Sequence, residues 1–343
     1  MATYVWPMIH DILNNPPLQV TRESNTIWPS AMGQTLDVDG YPIRVGGCDR
    51  RMFYRLRKYP SSPEVIDFSG EMKRRFGDFT TDLMAEIFKR GWIYIGDEVP
   101  FTINRQSPGK VKYKISGKID LIIRRGEGDN WPILIEMKTK GEFAASGLCK
   151  STKAKPLMPD LGEVIQCMPY LDWAQNQMGI DDPEIHLMYM TRDRGTCGEH
   201  IIRFNEDQSV IIENAAGVTA IPELSLESIY ADTDALVDRV RANEVPERPF
   251  EIQWSNQRLM HALKLGKGLN KTETDRLRKA VKDNKEGPLI EKGDWQCRYC
   301  PYTAGCYDTM GDIFVSGGAS STPVSKVDKD NTGGLRVHVG EED

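Results

Sequence analysis

Residues 111–125 read VKYKISGKIDLIIRR, residues 126–130 GEGDN and residues 131–138 WPILIEMK, and the fold turns on this stretch. Its two flanks are rich in Val, Ile, Leu and Tyr, while Gly126–Asn130 are turn formers. That pattern predicts two antiparallel strands joined by a short loop. A hairpin symmetric about Gly128 sets Asp120 opposite Glu136, with Cβ atoms roughly 4.5–5.5 Å apart on one face. Lys138 follows Glu136 by two and projects from the same face, because side chains alternate along a strand. Ile119, Leu121, Ile123, Ile133 and Ile135 take the opposite face, which suits a core.

Two carboxylates opposed on a half-buried strand pair repel each other, and burial adds to the cost. A bound cation relieves both. Oxygen ligands favour Mg²⁺ or Mn²⁺, and Lys138 stands where an ammonium holds a nucleophilic water or a phosphate. The plain alternative is a cross-strand ion pair, which the spacing D-x₁₅-E-x-K alone does not exclude.

The chain has seven cysteines, and Met1–Trp6 lacks the basic start and apolar run of a secretory signal. A reducing, cytoplasmic setting is expected, in which metal ligation is a better use of cysteine than disulfides. Cys297, Cys300 and Cys306 form C-x₂-C-x₅-C, and Cys48, which opens the basic and aromatic run Cys48–Arg55, is the expected fourth ligand. Four thiolates suit a structural Zn²⁺ or a [4Fe–4S] cluster, and spacing does not choose between them. Such a centre closes a very long loop and acts as a clamp. Cys149, Cys167 and Cys197 are scattered and read as packing or surface residues.

Together these residues resemble the RecB-like branch of the PD-(D/E)XK nucleases. More narrowly, they are similar to its iron–sulfur members, the CRISPR-associated RecB-like exonucleases and the AddB nuclease domain. Gly117-Lys118-Ile119-Asp120 matches the family's G-x-x-D, Glu136-Met137-Lys138 its E-x-K, and Gln166-Cys167-Met168-Pro169-Tyr170 its Q-x-x-x-Y. The family places one Cys before the core and a C-x₂-C-x₅-C triplet after it, here Cys48 and Cys297, Cys300, Cys306. Ile27-Trp28-Pro29-Ser30 is a weaker point of similarity, and the resemblance runs from about residue 27 to 310.

The resemblance implies an α/β, restriction-endonuclease-like core: a mixed central sheet flanked by helices, with an iron–sulfur-clamped helical accessory region. It implies Mg²⁺ or Mn²⁺ on Asp120, Glu136 and the Met137 carbonyl, with Lys138 positioning water. Gln166 and Tyr170 would stand at the scissile nucleotide, and the four cysteines would hold [4Fe–4S]. The implied activity is exonucleolytic hydrolysis of single-stranded DNA or DNA ends, in recombination, repair, replication or CRISPR-adaptation-type processing. A catalytically weakened, DNA-binding scaffold within a larger complex is the second reading.

Two departures bear on that second reading. The family's helix before the strands carries a metal-binding His, whereas Phe76–Glu86 has none and Thr81 falls nearest its place. Phe76, Phe79, Leu83 and Ile87 form the helix's apolar stripe, with Asp82 and Glu86 at its edge, either one of them a substitute ligand or both solvated surface acids. Pro169 also interrupts Q-x-x-x-Y. On a helix starting near Asp160, with Glu163 as capping-box partner, Gln166 and Tyr170 share a face and Pro169 kinks the axis.

At 343 residues and 39% hydrophobic content, the chain can bury one large or two small cores. A net charge of −6 argues against indiscriminate nucleic-acid binding but leaves room for a local basic channel. Candidates are Arg50, Arg51, Arg55, Arg57 and Lys58 with Phe53, Tyr54 and Tyr59 interleaved; Lys73–Arg75; and Lys150, Lys153 and Lys155. No apolar run reaches membrane-spanning length, and no G-x₄-G-K-[ST] motor motif or internal repeat occurs.

Residues 1–47 read as a loosely structured lead-in and 48–310 as the catalytic domain. Strands are expected at 185–190 and 200–204, a helix at 223–243 and a basic helical stretch at 254–284. Residues 223–290 make the accessory segment. From 315 to 343 the composition is that of a disordered tail, with a partner-binding tip at Leu335, Val337 and Val339 as an option.

Overall fold

The computed structural model describes residues 25–38, 41–59, 61, 68–91, 93–124, 131–142, 144–145, 147–150, 157–192, 194–266, 268–298, 300–308, 328–329 and 335–336. The chain divides into two units, Met1–Lys58 with Ile66–Glu247, and Tyr59–Val65 with Arg248–Asp343.

The first unit opens with β1 (Thr26–Ile27), a 3-10 turn (Pro29–Ala31) and the hairpin β2 (Gly33–Val38) and β3 (Tyr41–Gly46). These residues, expected to be loose, are ordered because their backbone groups find partners: β1 pairs in parallel with the central strand, and β2 and β3 pair throughout with each other. Helices α1 (Asp49–Leu56) and α2 (Phe68–Arg90) follow. Next come β4 (Tyr94–Gln106), β5 (Lys112–Arg124) and β6 (Pro132–Lys140), then α3 (Leu161–Gln177). The unit ends with β7 (Ile185–Thr191), β8 (Cys197–Phe204), β9 (Ser209–Asn214), β10 (Gly217–Ser225) and α4 (Leu226–Ala242).

The described strands form an eight-stranded mixed sheet ordered β1-β5-β6-β7-β8-β9-β10, with β4 on the other edge of β5. The β5–β6 register is the expected one, with Leu121↔Ile135, Ile122↔Leu134 and Ile123↔Ile133. The loop expected at 126–130 lies outside the described residues. β5 is long enough to serve two partners on one edge: β6 along 121–124 and β1 along 114–115. Between them, residues 116–120 lie in a fork where the β5–β6 ladder has ended while β6 goes on pairing in parallel with β7 along its other edge.

Helix α2 packs on one face of this sheet, where Ala85 meets Leu121, Ile123, Ile133, Ile135 and Met137, flanked by Met84 and Phe88. The helix's apolar stripe is turned out: Phe79 is 59% exposed, Leu83 45% and Ile87 49%. The cause is steric. The sheet surface is already filled by large Ile and Leu side chains, and the helix meets it through the small side chain of Ala85. The other face is covered by α3, which buries Val164, Ile165, Met168 and Leu171. Pro169 lies inside this helix without ending it, and the helix runs on to Gln177. Asp160 caps its first turn by accepting the Gly162 N–H at 2.8 Å. Glu163 does not complete a capping box; its carboxylate pairs with Lys140 at 2.6 Å and accepts the Tyr189 hydroxyl at 2.6 Å.

In the second unit, the expected basic stretch is two helices, α5 (Asn256–Leu265) and α6 (Lys271–Lys282). Gly266 stops α5 at φ +66, a conformation glycine adopts without strain, and an Asn270–Glu273 capping box starts α6. Trp254, Leu259, Ala262, Leu277 and Ile290 form this unit's own core. Arg258, in the expected basic stretch, is committed to Asp294 through two hydrogen bonds of 2.8 and 3.0 Å. Short helices α7 (Trp295–Arg298) and α8 (Thr303–Asp308) follow. The expected tail lies outside the described residues, save for the two-residue strands β11 (Asp328–Lys329) and β12 (Leu335–Arg336), which pair with each other. Among the described residues no helix is long and apolar enough to cross a membrane.

Candidate active site

The fork between β5 and β6 builds the site. Asp120 is the first residue of β5 past the end of the ladder, and its carboxylate takes over the missing bond: Oδ2 accepts the Met137 N–H at 2.7 Å. Glu136 and Lys138 alternate with Met137 along β6, so Met137 turns into the α2 core while the other two face α3. From α3, Gln166 reaches both, its amide nitrogen donating to Glu136 Oε1 at 2.6 Å and its Oε1 accepting from Lys138 Nζ at 3.0 Å. Lys138 Nζ also lies 2.5 Å from Glu136 Oε1. One helical turn on, Tyr170 OH accepts from Gln166 Nε2 at 2.9 Å, and its ring meets Phe101 edge-on at 5.0 Å. Glu136, Lys138, Gln166 and Tyr170 therefore form one hydrogen-bonded network, while Asp120 bonds the Met137 N–H beside it and acts on Glu136 and Lys138 through its charge.

Its electrostatics are those of a site with excess negative charge. Glu136 is 2% exposed, and while Oε1 receives two donors, Oε2 is buried without a hydrogen-bond partner. Burial pushes the Glu136 carboxyl up to about 7, against the pull of Lys138 and with a further push from Asp120. Asp120 is raised for the same first reason, burial, partly offset by the Met137 N–H and Lys138. Lys138 loses hydration too, but Glu136, Asp120 and Glu163 outweigh that and raise it, so it stays an ammonium. A buried carboxylate oxygen with no donor costs roughly 1–3 kcal/mol or more, and a cation is the partner that removes the cost. The donor set, two carboxylates with a strand carbonyl at Met137, fits a hard divalent ion.

The substitute first-motif acids are not part of this network. Asp82 and Glu86 are exposed on α2, which packs on the opposite face of the sheet, and Glu86 pairs with Lys89 at 3.3 Å. Thr81 bonds its own helix through the Gly77 carbonyl. A carboxylate the sequence reading missed stands closer. Glu98 falls between the pairs Asp97↔Leu121 and Val99↔Ile119, opposite Asp120, and its charge helps raise Asp120. The period-two pattern Val99, Phe101, Ile103 was the signal for its strand. Glu163, also missed, bears on Glu136 and Lys138 from the first turn of α3.

The basic and aromatic run is only partly a surface. Phe53 and Tyr54 are fully buried, and Arg50 is 6% exposed, its guanidinium on Tyr54. This corrects their expected role as stacking groups: amphipathic α1 spends them on the core. Arg51, Arg57 and Lys58 are exposed. Lys153 and Lys155 lie outside the described residues.

Cys48 precedes α1 in the first unit, as the residue that caps its start. In the second unit, Cys297 and Cys306 sit on α7 and α8, both close enough to Tyr307 to raise its hydroxyl after burial has done most of that work. The Cys300 N–H donates to the Cys297 carbonyl at 3.3 Å, and the Cys306 N–H to Tyr302 at 2.8 Å. Among the described residues no three or more His, Cys, Asp or Glu side chains are gathered as a metal site. Cys167 is buried beneath Glu136 and Lys138, Cys149 is half-buried and Cys197 exposed, as packing and surface residues should be.

No curated protein and no solved structure matches the chain. The profile of the PD-(D/E)XK nuclease superfamily matches residues 51–307, a span holding β5, β6, α3 and the cysteine triplet. The match covers well over half of the sequence and agrees with the mixed sheet flanked by helices: the chain belongs to the PD-(D/E)XK nuclease superfamily, a membership that points to a nuclease and to DNA binding.

Proposed function

We propose that this protein is a Mg²⁺- or Mn²⁺-dependent deoxyribonuclease of the RecB-like branch, acting as an exonuclease on single-stranded DNA or DNA ends. The observation that carries the reading is the buried, donorless oxygen of Glu136 beside Asp120 in the strand fork. Asp120, Glu136 and the Met137 carbonyl would hold the ion, which when bound would supply Lewis-acid stabilisation of phosphate charge and a water of lowered pKa.

The chain's own residues do the rest. Lys138, an ammonium tethered by Glu136 and Gln166, donates to the attacking water or a phosphate oxygen and fixes it in line. Gln166 locks the Glu136 rotamer, so one oxygen stays committed to protein and the other is left for the ion. Tyr170 anchors Gln166 and packs the wall beside the scissile nucleotide. The test is degradation of 5′- and 3′-labelled single strands with Mn²⁺, repeated in EDTA. Asp120→Ala and Lys138→Ala should each lower the rate by about 10²–10³-fold or more while circular dichroism is unchanged. Full activity in Asp120→Ala would sink the assignment.

A scaffold reading is favoured by one observation: Phe76–Glu86 carries no His, and the acids there, Asp82 and Glu86, are exposed on the opposite face of the sheet. It expects strand binding without cleavage under any divalent ion. The four-cysteine centre, [4Fe–4S] or alternatively Zn²⁺, rests on the C-x₂-C-x₅-C spacing and the preceding Cys48, and no catalytic step is routed through it.

A further inference from the structure

The strand fork that holds Asp120 opens into a groove of about 510 Å³. Its floor is the stretch of β5 that neither β1 nor β6 covers, Ser116 to Lys118, and one end is closed by Gln166 and Tyr170. Its other wall is the 3-10 turn, from which Trp28 and Pro29 face in. That turn is fixed by the Ala31 N–H on the Trp28 carbonyl at 2.9 Å and the Met32 N–H on Pro29 at 3.1 Å. Behind it, the Arg55 guanidinium lies 3.9 Å from the Trp28 ring centroid and donates to the Thr26 carbonyl at 2.7 Å. Arg55 does not line the groove, so it braces the indole rather than filling the space.

We propose that this groove is a subsite for one unpaired nucleotide next to the scissile phosphate, with the Trp28 indole as its stacking platform. The proposal rests on the nuclease reading of Asp120 and Glu136 and deepens it by naming an unpaired base as the feature selected. The volume suits one nucleotide. An aromatic face accepts any base, which gives strand recognition without sequence preference, and a base held in a duplex reaches it only by leaving its stack. Lys118, at present paired with Glu98, supplies a cation for the adjoining phosphate. Gly117 keeps the floor low: a Cβ there would lie 3.0 Å from the Phe101 ring and 3.2 Å from Pro29. The aromatics of α1 are buried, and the groove's aromatic lining is Trp28 on one wall and Tyr170 beside Gln166 at the end.

The test measures binding of the full chain in EDTA to a labelled oligothymidine carrying one abasic position, moved along the strand. Wild type should lose about tenfold in affinity at one position. Trp28→Ala should bind the intact strand about tenfold more weakly and be indifferent to that same position, while Trp28→Phe stays within about threefold. Binding to the annealed duplex should not change in Trp28→Ala. If Trp28→Ala unfolds, Trp28→Leu keeps the apolar bulk without the aromatic face and should show the same tenfold loss. Wild-type affinity in Trp28→Ala or Trp28→Leu, or losses from variant and abasic site that simply add, would overturn the subsite. Cleavage with Mn²⁺ is scored apart. Cutting without Trp28–abasic coupling removes only the subsite, and coupling in a protein that cuts nothing removes only the nuclease reading.

Discussion

At the residue scale, the telling feature is asymmetry within one side chain. Glu136 places Oε1 between two donors and leaves Oε2 buried with none, so the metal-free protein holds a carboxyl raised from 4.5 to about 7. A folded-state value above the unfolded one means that the native protein keeps a proton the unfolded chain gives up. That contribution is full below the unfolded value of 4.5 and is lost as pH rises through about 7. Its size is at most about 3 kcal/mol. Metal-free protein should therefore melt at lower temperature as pH climbs from ~5 to ~8, and Glu136→Gln should flatten the slope. Mn²⁺ should reverse the trend, because ion binding releases the proton; calorimetry in buffers of different ionisation enthalpy reads that release directly. A pH-independent melting temperature in the metal-free wild type would contradict it. Asp120, Glu136 and Lys138 were legible in the sequence because a period of two fixes the face of every residue in a hairpin. Glu163 was legible only as a cap, since nothing local says that its partners are Lys140 and Tyr189.

At the element scale, the two long strands and α3 follow from pattern, and α2 shows where pattern ends. A sequence stripe gives a helix an apolar face; which face is buried depends on what it meets. Here the Ile and Leu side chains of β5 and β6 fill the contact, and Ala85 admits the helix more closely than Phe79 or Leu83 would. Leu83→Ser should change stability by no more than about 0.5 kcal/mol. Ala85→Leu, which adds bulk at the contact, should cost about 1–3 kcal/mol. Urea unfolding separates the two orientations, since a buried Leu83 would reverse the order. Strands β4, β9 and β10 escaped the sequence reading: in β4, Gly96 and Pro100 obscure the alternation of Val99, Phe101 and Ile103, and β10 is mostly exposed.

At the scale of the whole molecule, the chain comprises two units with separate cores, one on the sheet and one around Trp254, Leu259 and Leu277. Within the basic stretch expected over 254–284, Arg258 is bound to Asp294, and Glu273 pairs with Lys292 at 2.9 Å. Cys48 belongs to the first unit and the triplet to the second. If the four cysteines hold [4Fe–4S], anaerobically purified protein should be brown, with a broad visible band and matched iron and sulfide, and Cys300→Ser should lose both. Colourless protein with one zinc per chain would assign the site to Zn²⁺, and protein with neither would remove the centre.

The hairpin, its register along Leu121–Arg124 and the shared face of Gln166 and Tyr170 were set by sequence alone, because each depends only on local periodicity. Tertiary structure decided which face of α2 is buried, that Phe53 and Tyr54 serve the core, and that Glu98 and Trp28 stand at the fork. Those outcomes depend on volumes and charges contributed by segments far apart in the chain, and no local period encodes them.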